Sequence, residues 1–358
     1  MAGDNRESRI NWIDTAKGLG IVLVVVGHVL RGLVAAHVME WTPAARFLDA
    51  WIYSFHMPLF FFLSGLFLFQ SVTKSSLRWF ISDKVRMIAY PYVVWSIITI
   101  FLKAGLGTVP NTPRALSDLM LIPYSPIEQF WFLYVLFVLV VFFGITFAFG
   151  LRPWFAIALA CTIYPTVLPV SLGWNVLYMV QFYAIYVAFG AHVGTNYLRQ
   201  LPNINSAILI LVIVIGLSFP IADIATIDQQ RNELLCALSG IMGIAALSLL
   251  LCRFKFTSFL SFLGKLSLEI FVAHTIASAA GRIVLELGHV RSPAIHVAVG
   301  VAAGLSLPIA LWFGFKLIGF RFGFTFPRST RKLKVGGYLG CNGASTRPAA
   351  DSVDTRLG

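Results

Sequence analysis

Apolar stretches long enough to cross a lipid bilayer recur along almost the whole chain of 358 residues. A bilayer core takes about 20 consecutive apolar residues per helix, and within lipid only helices and closed barrels satisfy their own backbone polar groups. We therefore predict an all-α fold, a polytopic membrane helix bundle of about ten transmembrane helices. The predicted spans are residues 13–35, 51–70, 87–107, 129–150, 153–171, 174–194, 204–222, 233–252, 266–287 and 294–320.

The composition supports this class of protein. The chain is 58% hydrophobic and only 12% charged, whereas soluble domains carry roughly 25% charged residues. The net charge of +12 comes from Lys and Arg between the apolar runs and near the C-terminus, where there is no nucleic-acid-binding motif. These basic residues are concentrated in segments that share a side with the N-terminus, so the positive-inside rule predicts that both termini are cytosolic.

Residues 1–320 are predicted to form one membrane domain, and residues 321–358 a basic, disordered cytosolic tail at the surface of the membrane lipids. The four cysteines are isolated and show no CxxC spacing. No disulfide or metal site is therefore predicted.

The first span carries four polar or ionisable residues in the segment WIDTAKGLGIVLVVVGHVLRG, namely Asp14, Lys17, His28 and Arg31. Lys17 and His28 are 11 residues apart and fall about 20° from eclipsed on a helix, with about 16 Å between their positions along the axis. Asp14 and Arg31 lie close to the same face. Since lipid would not tolerate such a stripe, we expect it to face the bundle interior, where an ionisable residue indicates a functional site.

The second span contains His56 at a depth similar to that of His28, on a helix that runs the opposite way. Two histidines at one depth can act as a general base and its orienting partner. Lys84 and Arg86 follow in a basic segment predicted to be cytosolic. They are either topology determinants or a clamp for a phosphorylated cytosolic donor.

Two further residues have both a structural and a functional interpretation. Trp131 either lines a pocket for a sugar ring or packs in the bundle and anchors it at the membrane interface. His274, in a late span, either makes a structural hydrogen bond or belongs to the site.

Five segments together resemble the acyltransferase-3 family of integral-membrane O-acyltransferases. The family signature in the first helix is a basic residue, ten residues and a histidine, and Lys17 and His28 have that spacing. The first two segments look most like the branch typified by fucose 4-O-acetylases, which modify bacterial oligosaccharides. The similarity is strong over residues 10–100 and weaker to about residue 275. The five segments are WIDTAKGLGIVLVVVGH, SFHMPLFFFLSG, DKVRMIAYPYVVWS, FWFLYVLF and FLGKLSLEIFVAH.

The resemblance implies transfer of an acetyl or other short acyl group from acetyl-CoA to a hydroxyl of a surface or secreted glycan or a lipid-linked sugar, in the bacterial cytoplasmic membrane. His28 is the expected base, because the neutral imidazole is favoured in a partly desolvated site. His56 is expected to orient it or to stabilise charge on the reacting carbonyl. The expected substrate-binding residues are Asp14, Lys17, Arg31, Lys84, Arg86, Trp131 and His274.

Two departures from the family pattern bear on the donor site. Lys17 stands where many members have arginine, so the planar fork that binds a phosphate with two hydrogen bonds is missing. The cytosolic pair is Lys84-x-Arg86, whereas some members have Arg-x-x-Arg.

Two other functions fit a polar stripe in a membrane bundle. A polytopic transporter or flippase of a glycan precursor would use the stripe as a substrate path, and its activity would not depend on acetyl-CoA. A structural partner in a polysaccharide-export assembly would tolerate replacement of His28. The fixed spacing of Lys17 and His28 favours the acyltransferase.

Overall fold

The computed structural model describes residues 4–107, 110–165, 174–225, 232–254 and 257–327. These residues form helices and no β-strand, which confirms the predicted all-α fold. The α-helices are α1 (Asp4–Ala35), α2 (Pro43–Gly65), α3 (Leu68–Thr73), α4 (Leu77–Lys84), α5 (Tyr90–Leu106), α6 (Trp131–Ala148), α7 (Pro153–Ile163), α8 (Asn175–Asn196), α9 (Ser206–Ala225), α10 (Glu233–Leu251), α11 (Ser258–Lys265), α12 (Ser267–Leu287) and α13 (Pro293–Leu317).

Nine helical segments in the described part of the chain are long and apolar enough to cross a membrane. The remaining predicted span, residues 153–171, contains the shorter helix α7, and residues 166–173 lie outside the described ranges. The indole of Trp174, just before α8, donates a hydrogen bond of 2.8 Å to the carbonyl of Tyr124, in the loop before α6. The start of α8 therefore lies at the end of the bundle at which α6 begins.

The start of α1 and the end of α13 lie at the same end of the bundle, because these helices pack antiparallel. Gly300 faces Val29, and Gly304, one turn later in α13, faces Val25, one turn earlier in α1. We call this end the Thr15 end and the opposite one the Arg31 end. That the Thr15 end faces the cytosol stays a prediction.

Helix α1 occupies the centre of the bundle, where it contacts α2, α10, α11, α12 and α13. Ile21 and Val25 are fully buried by these neighbours. Near the Thr15 end, the hydroxyl of Thr15 lies 3.2 Å from the sulfur of Cys252, which follows α10. Along the polar stripe, Asp14 is buried, Lys17 and His28 are partly buried, and Arg31 is exposed. Most of the stripe therefore faces protein, as the sequence predicts.

Two glycines set the distance between α1 and α11. A Cβ atom on Gly264 would lie 1.7 Å from the backbone oxygen of Asp14, and one on Gly18 would lie 2.0 Å from that of Leu260. Any larger side chain would force the helices apart, and this contact fixes the Thr15 end of α1.

Residues 321–327, the first part of the predicted tail, run beside α5. The indole of Trp95 donates a hydrogen bond of 3.0 Å to the carbonyl of Gly323 and stacks on Phe324, with 5.4 Å between the ring centroids. The rest of the predicted tail, residues 328–358, lies outside the described residues.

We predict that Gly264→Ala lowers the free energy of unfolding by about 1–3 kcal/mol, the usual cost of overpacking a well-packed site. The matched control is Gly314→Ala in α13, because no atom lies within 4 Å of a Cβ there. Thermal unfolding of the purified proteins in detergent should show a lower midpoint for the first variant alone. Equal midpoints for both variants would contradict the close packing of α1 and α11.

Candidate active site

His28 and His56 line the same cavity, near the Arg31 end of the bundle. Its volume is about 530 Å³, and its wall is built from α1, α2, α5, α12 and the start of α6. We call it the histidine cavity. Two histidines predicted to share one depth therefore also line one cavity.

His28 contacts a third histidine that is far away in the sequence. The rings of His28 and His274 meet edge to face, with 5.0 Å between their centroids, and the ring of Tyr53 lies 6.3 Å from His28 on α2. His28 is partly exposed to the cavity, whereas His274 is fully buried beside it. The structure thus gives His28 a buried imidazole neighbour on α12.

Backbone hydrogen bonds define the neutral tautomers of the other two histidines. Nδ1 of His274 donates to the carbonyl of Phe271 at 2.7 Å, and Nδ1 of His56 donates to the carbonyl of Ile52 at 2.8 Å. A carbonyl only accepts, so in the neutral ring Nε2 carries the lone pair. Nε2 of His274 is buried and has no hydrogen-bond partner among the described residues. It is an available acceptor for an N–H of a protonated His28.

The ring of His28 contacts that of His274 but not that of His56. The ring of Tyr53 contacts both, at a centroid distance of 4.6 Å from His56 and 6.3 Å from His28. His274, and not the predicted partner His56, is therefore in direct ring contact with His28, and His56 lies on the cavity wall.

Arg31 is held by two interactions at the edge of the histidine cavity. Its Nε and Nη2 atoms donate to the two carboxylate oxygens of Asp49, at 2.7 and 2.9 Å. Its guanidinium carbon lies 3.2 Å from the ring centroid of Tyr53. This fork and the cation–π contact fix the guanidinium group in one orientation.

A second cavity of about 600 Å³ adjoins the first and shares Arg31, Tyr53 and Trp131 with it. We call it the aromatic cavity. Trp131 packs against Tyr183, with 5.2 Å between the ring centroids. The predicted residues Arg31 and Trp131 therefore lie between two spaces.

The structure places the remaining predicted residues at the Thr15 end. Asp14 of α1 is buried beside α11. Lys17, also on α1, is partly buried and lies between the histidine cavity and the Thr15 end. Lys84 lies 3.7 Å from Asp83 and lines a surface depression of about 770 Å³. Arg86 lies in a π-helical turn, and its carbonyl accepts a hydrogen bond of 3.5 Å from Phe326. These four residues are not brought together with His28.

Sequence reasoning missed several residues of the histidine cavity. Tyr53, on its wall, and Asp49, on the wall of the aromatic cavity, precede the predicted His56 by three and seven residues. The periodicity argument that was applied to α1 would therefore have found a polar face on α2. Gln129 and Thr275 give no such signal, because the hydrogen bond of 2.8 Å between their side chains joins residues 146 positions apart.

The sequence of this chain is similar to one protein family and to one characterised protein. Residues 10–313 match the family model Acyl_transf_3, described as an acyltransferase domain. The nodulation protein NolL of Mesorhizobium japonicum is 25% identical over 183 residues, which cover 51% of this chain and 48% of that protein. The chain thus spans about half the length of this relative. No solved structure matches.

We predict that the histidine cavity is reached from outside the cell. In a chain without its four cysteines, Thr275→Cys should react with a charged, membrane-impermeant methanethiosulfonate reagent added to intact spheroplasts, because Thr275 lines the cavity. The control Thr73→Cys, exposed at the Thr15 end, should react only after the membrane is opened. The reverse pattern, read by mass spectrometry of the labelled chain, would contradict the predicted orientation.

Proposed function

Since the chain belongs to the acyltransferase-3 family and is a membrane acyltransferase, we propose that it transfers an acetyl or other short acyl group from acyl-CoA to a sugar hydroxyl. The proposed acceptor is a surface or secreted glycan or a lipid-linked oligosaccharide, and the proposed location is the bacterial cytoplasmic membrane. Similarity to the fucose 4-O-acetylase branch belongs to the same proposal. The observation that carries it is His28, which lines a cavity and meets the ring of the buried His274 edge to face.

In the proposed reaction His28 takes the proton of the attacking hydroxyl. The hydroxyl oxygen forms a bond to the thioester carbonyl carbon, and the carbonyl oxygen becomes an oxyanion. When the carbon–sulfur bond breaks, the CoA thiolate leaves and receives the proton from His28, which returns to its neutral form. The products are an O-acyl sugar and CoA, and the proton count balances without another reactant.

Neighbouring groups fit each stage of this sequence. The lone pair on Nε2 of His274 stabilises His28 while it carries the proton. The hydroxyl of Tyr53 and the guanidinium of Arg31 are donors on the same wall, where an oxyanion forms. Nε2 of neutral His56 is an acceptor, so His56 fits a role in holding the sugar hydroxyl rather than in binding the oxyanion.

Direct transfer is preferred to a relay through an acylated side chain. Ser278 is the serine hydroxyl on the described wall of the histidine cavity, and it donates to the carbonyl of Gly300 at 2.9 Å. A nucleophile would need a base as its partner instead.

For the donor, we propose that the nucleotide stays at the Thr15 end, near Lys84 and Arg86, while the pantetheine arm follows the polar face of α1. Lys17 and Asp14 lie along that path, about 16 Å and about 21 Å from His28 along the helix axis. This arrangement would let a cytosolic thioester meet an acceptor on the other side of the membrane.

We predict that His28→Ala abolishes acylation of the producing cell's glycans. Loss of a general base lowers rates by about 10²–10⁴-fold, so mass spectrometry of glycans from a deletion strain should show the acyl increment restored by wild type and not by this variant. His192→Ala, a half-buried histidine on α8, is the control and should restore it at equal protein levels.

Full restoration by His28→Ala would refute the catalytic assignment. A deletion that changes glycan export and leaves acylation unchanged would favour the transporter instead.

We predict that Lys84→Ala and Arg86→Ala each raise the KM for acetyl-CoA about tenfold, since a hydrogen bond to a charged group contributes about 1.5–3 kcal/mol. Steady-state rates of the purified protein measure this change. Arg152→Ala removes a surface cation at the same end of the bundle and should leave KM unaltered. An unchanged KM in both variants would remove the two residues from the donor site.

A further inference from the structure

The aromatic cavity is distinct in chemistry from the histidine cavity beside it. Its described wall comes from the region around α2 and from α6, α8, α9 and α10, and six of its residues carry aromatic rings. The rings are those of Trp41, Tyr53, Trp131, Tyr178, Phe182 and Tyr183. Charged side chains stand among them, including Arg46, Asp49 and Glu233. A wall of flat rings interrupted by charged hydrogen-bonding groups suits a ligand with apolar faces and a polar rim.

A saccharide has that construction. The C–H groups of a pyranose form flat apolar patches that pack on aromatic rings, and its hydroxyls lie around the edge, where carboxylates accept and guanidinium groups donate hydrogen bonds. Glu233 at the start of α10 and Arg46 in α2 supply both kinds of partner.

The inner wall of the aromatic cavity is rigid. Tyr183 stacks on Phe61 with 4.5 Å between the centroids, and it also packs against Trp131. The indole of Trp51 ties α2 to α9 through a hydrogen bond of 3.2 Å to the carbonyl of Leu217. Rings held in place bind a ligand face with little loss of side-chain entropy.

The histidine cavity has fewer aromatic rings on its wall than the aromatic cavity and more aliphatic side chains. Much of its remaining wall is aliphatic, with side chains from α1, α5 and α12. These include Leu33, Leu102, Leu106, Ile276 and Ile283. A short acyl group held beside His28 finds apolar contacts there.

We propose that the aromatic cavity is the binding site of the saccharide acceptor, and that the acceptor's reactive hydroxyl passes between Arg31 and Trp131, over Tyr53, to reach His28. Trp41 and Tyr178 pack on the sugar ring, and Glu233 accepts from its hydroxyls. This inference rests on the proposed function. Acceptor and donor then approach His28 from opposite ends of the bundle.

The test separates the KM of the acceptor from that of the donor in the purified full-length protein. The acceptor probe is de-O-acylated glycan isolated from a deletion strain, and the donor is radiolabelled acetyl-CoA. Trp41→Ala and Tyr178→Ala should each raise the acceptor KM about tenfold, equivalent to about 1.4 kcal/mol, with the KM for acetyl-CoA unchanged. Tyr178→Phe keeps the ring face and should restore the acceptor KM.

Trp154→Ala is the matched control, because Trp154 is an exposed tryptophan on α7 outside both cavities. An acceptor KM that stays unchanged in both cavity variants, or that rises equally in the control, would overturn the assignment while leaving the proposed function intact.

Equilibrium dialysis of the same glycan, now tritium-labelled at its reducing end and without acetyl-CoA, distinguishes failure of the site from failure of the proposed function. Binding by wild type that Trp41→Ala abolishes supports the saccharide site even when no transfer is seen, in which case the proposed function fails alone. Absence of glycan binding by wild type overturns the site.

Discussion

A polar face on a membrane helix is stable only where protein, and not lipid, surrounds it. Charged and polar groups are costly in the hydrocarbon core, and α1 carries four of them on one face. Five helices pack around α1, and the contact of Gly18 and Gly264 with opposing backbone brings α11 close enough to cover its Thr15 end. The arrangement of the bundle follows from the need to enclose this one helix.

The helices also set the tautomers of two of the histidines. In a helix, a histidine Nδ1 reaches the carbonyl three or four residues earlier, as His56 and His274 do. Each bond leaves Nε2 as the free acceptor in the neutral ring. Because the bonds come from the backbone, the tautomers are set by helix geometry and need no further side chain. His28, with no such bond described, is the one whose ring faces both a cavity and a buried acceptor.

Arg31, Tyr53 and Trp131 separate the two cavities. This separation bears on how two substrates from opposite sides of a membrane could both reach His28. A thioester donor that comes from one side of a membrane and a sugar that comes from the other must meet without opening a continuous channel. A wall of three side chains, with Arg31 fixed by Asp49, lets two differently lined spaces meet at one point. In the proposed reaction, the acceptor occupies the aromatic cavity and the acyl group the histidine cavity.

The sequence was sufficient for the parts of this account that rest on local periodicity. The face shared by Lys17 and His28, and the depth shared by His28 and His56, follow from helix geometry alone. The same rule extends to Asp49 and Tyr53 on α2. The contact of His28 with His274 could not be derived this way, because it joins α1 to α12 and depends on how distant helices pack.

The segment 153–171 shows a second limit of sequence reasoning. Hydropathy predicts a full span there, yet the described helix ends at Ile163. Hydropathy reports that residues are apolar and not whether they continue as a helix.

The most direct test of the central claim is an experimental structure of the full chain with a thioether analogue of acetyl-CoA. We expect the acyl carbonyl to lie in the histidine cavity, within hydrogen-bonding range of a group on the wall beside His28, with the nucleotide at the Thr15 end. An analogue whose acyl group lies outside this cavity, with His28 facing no part of it, would contradict the account.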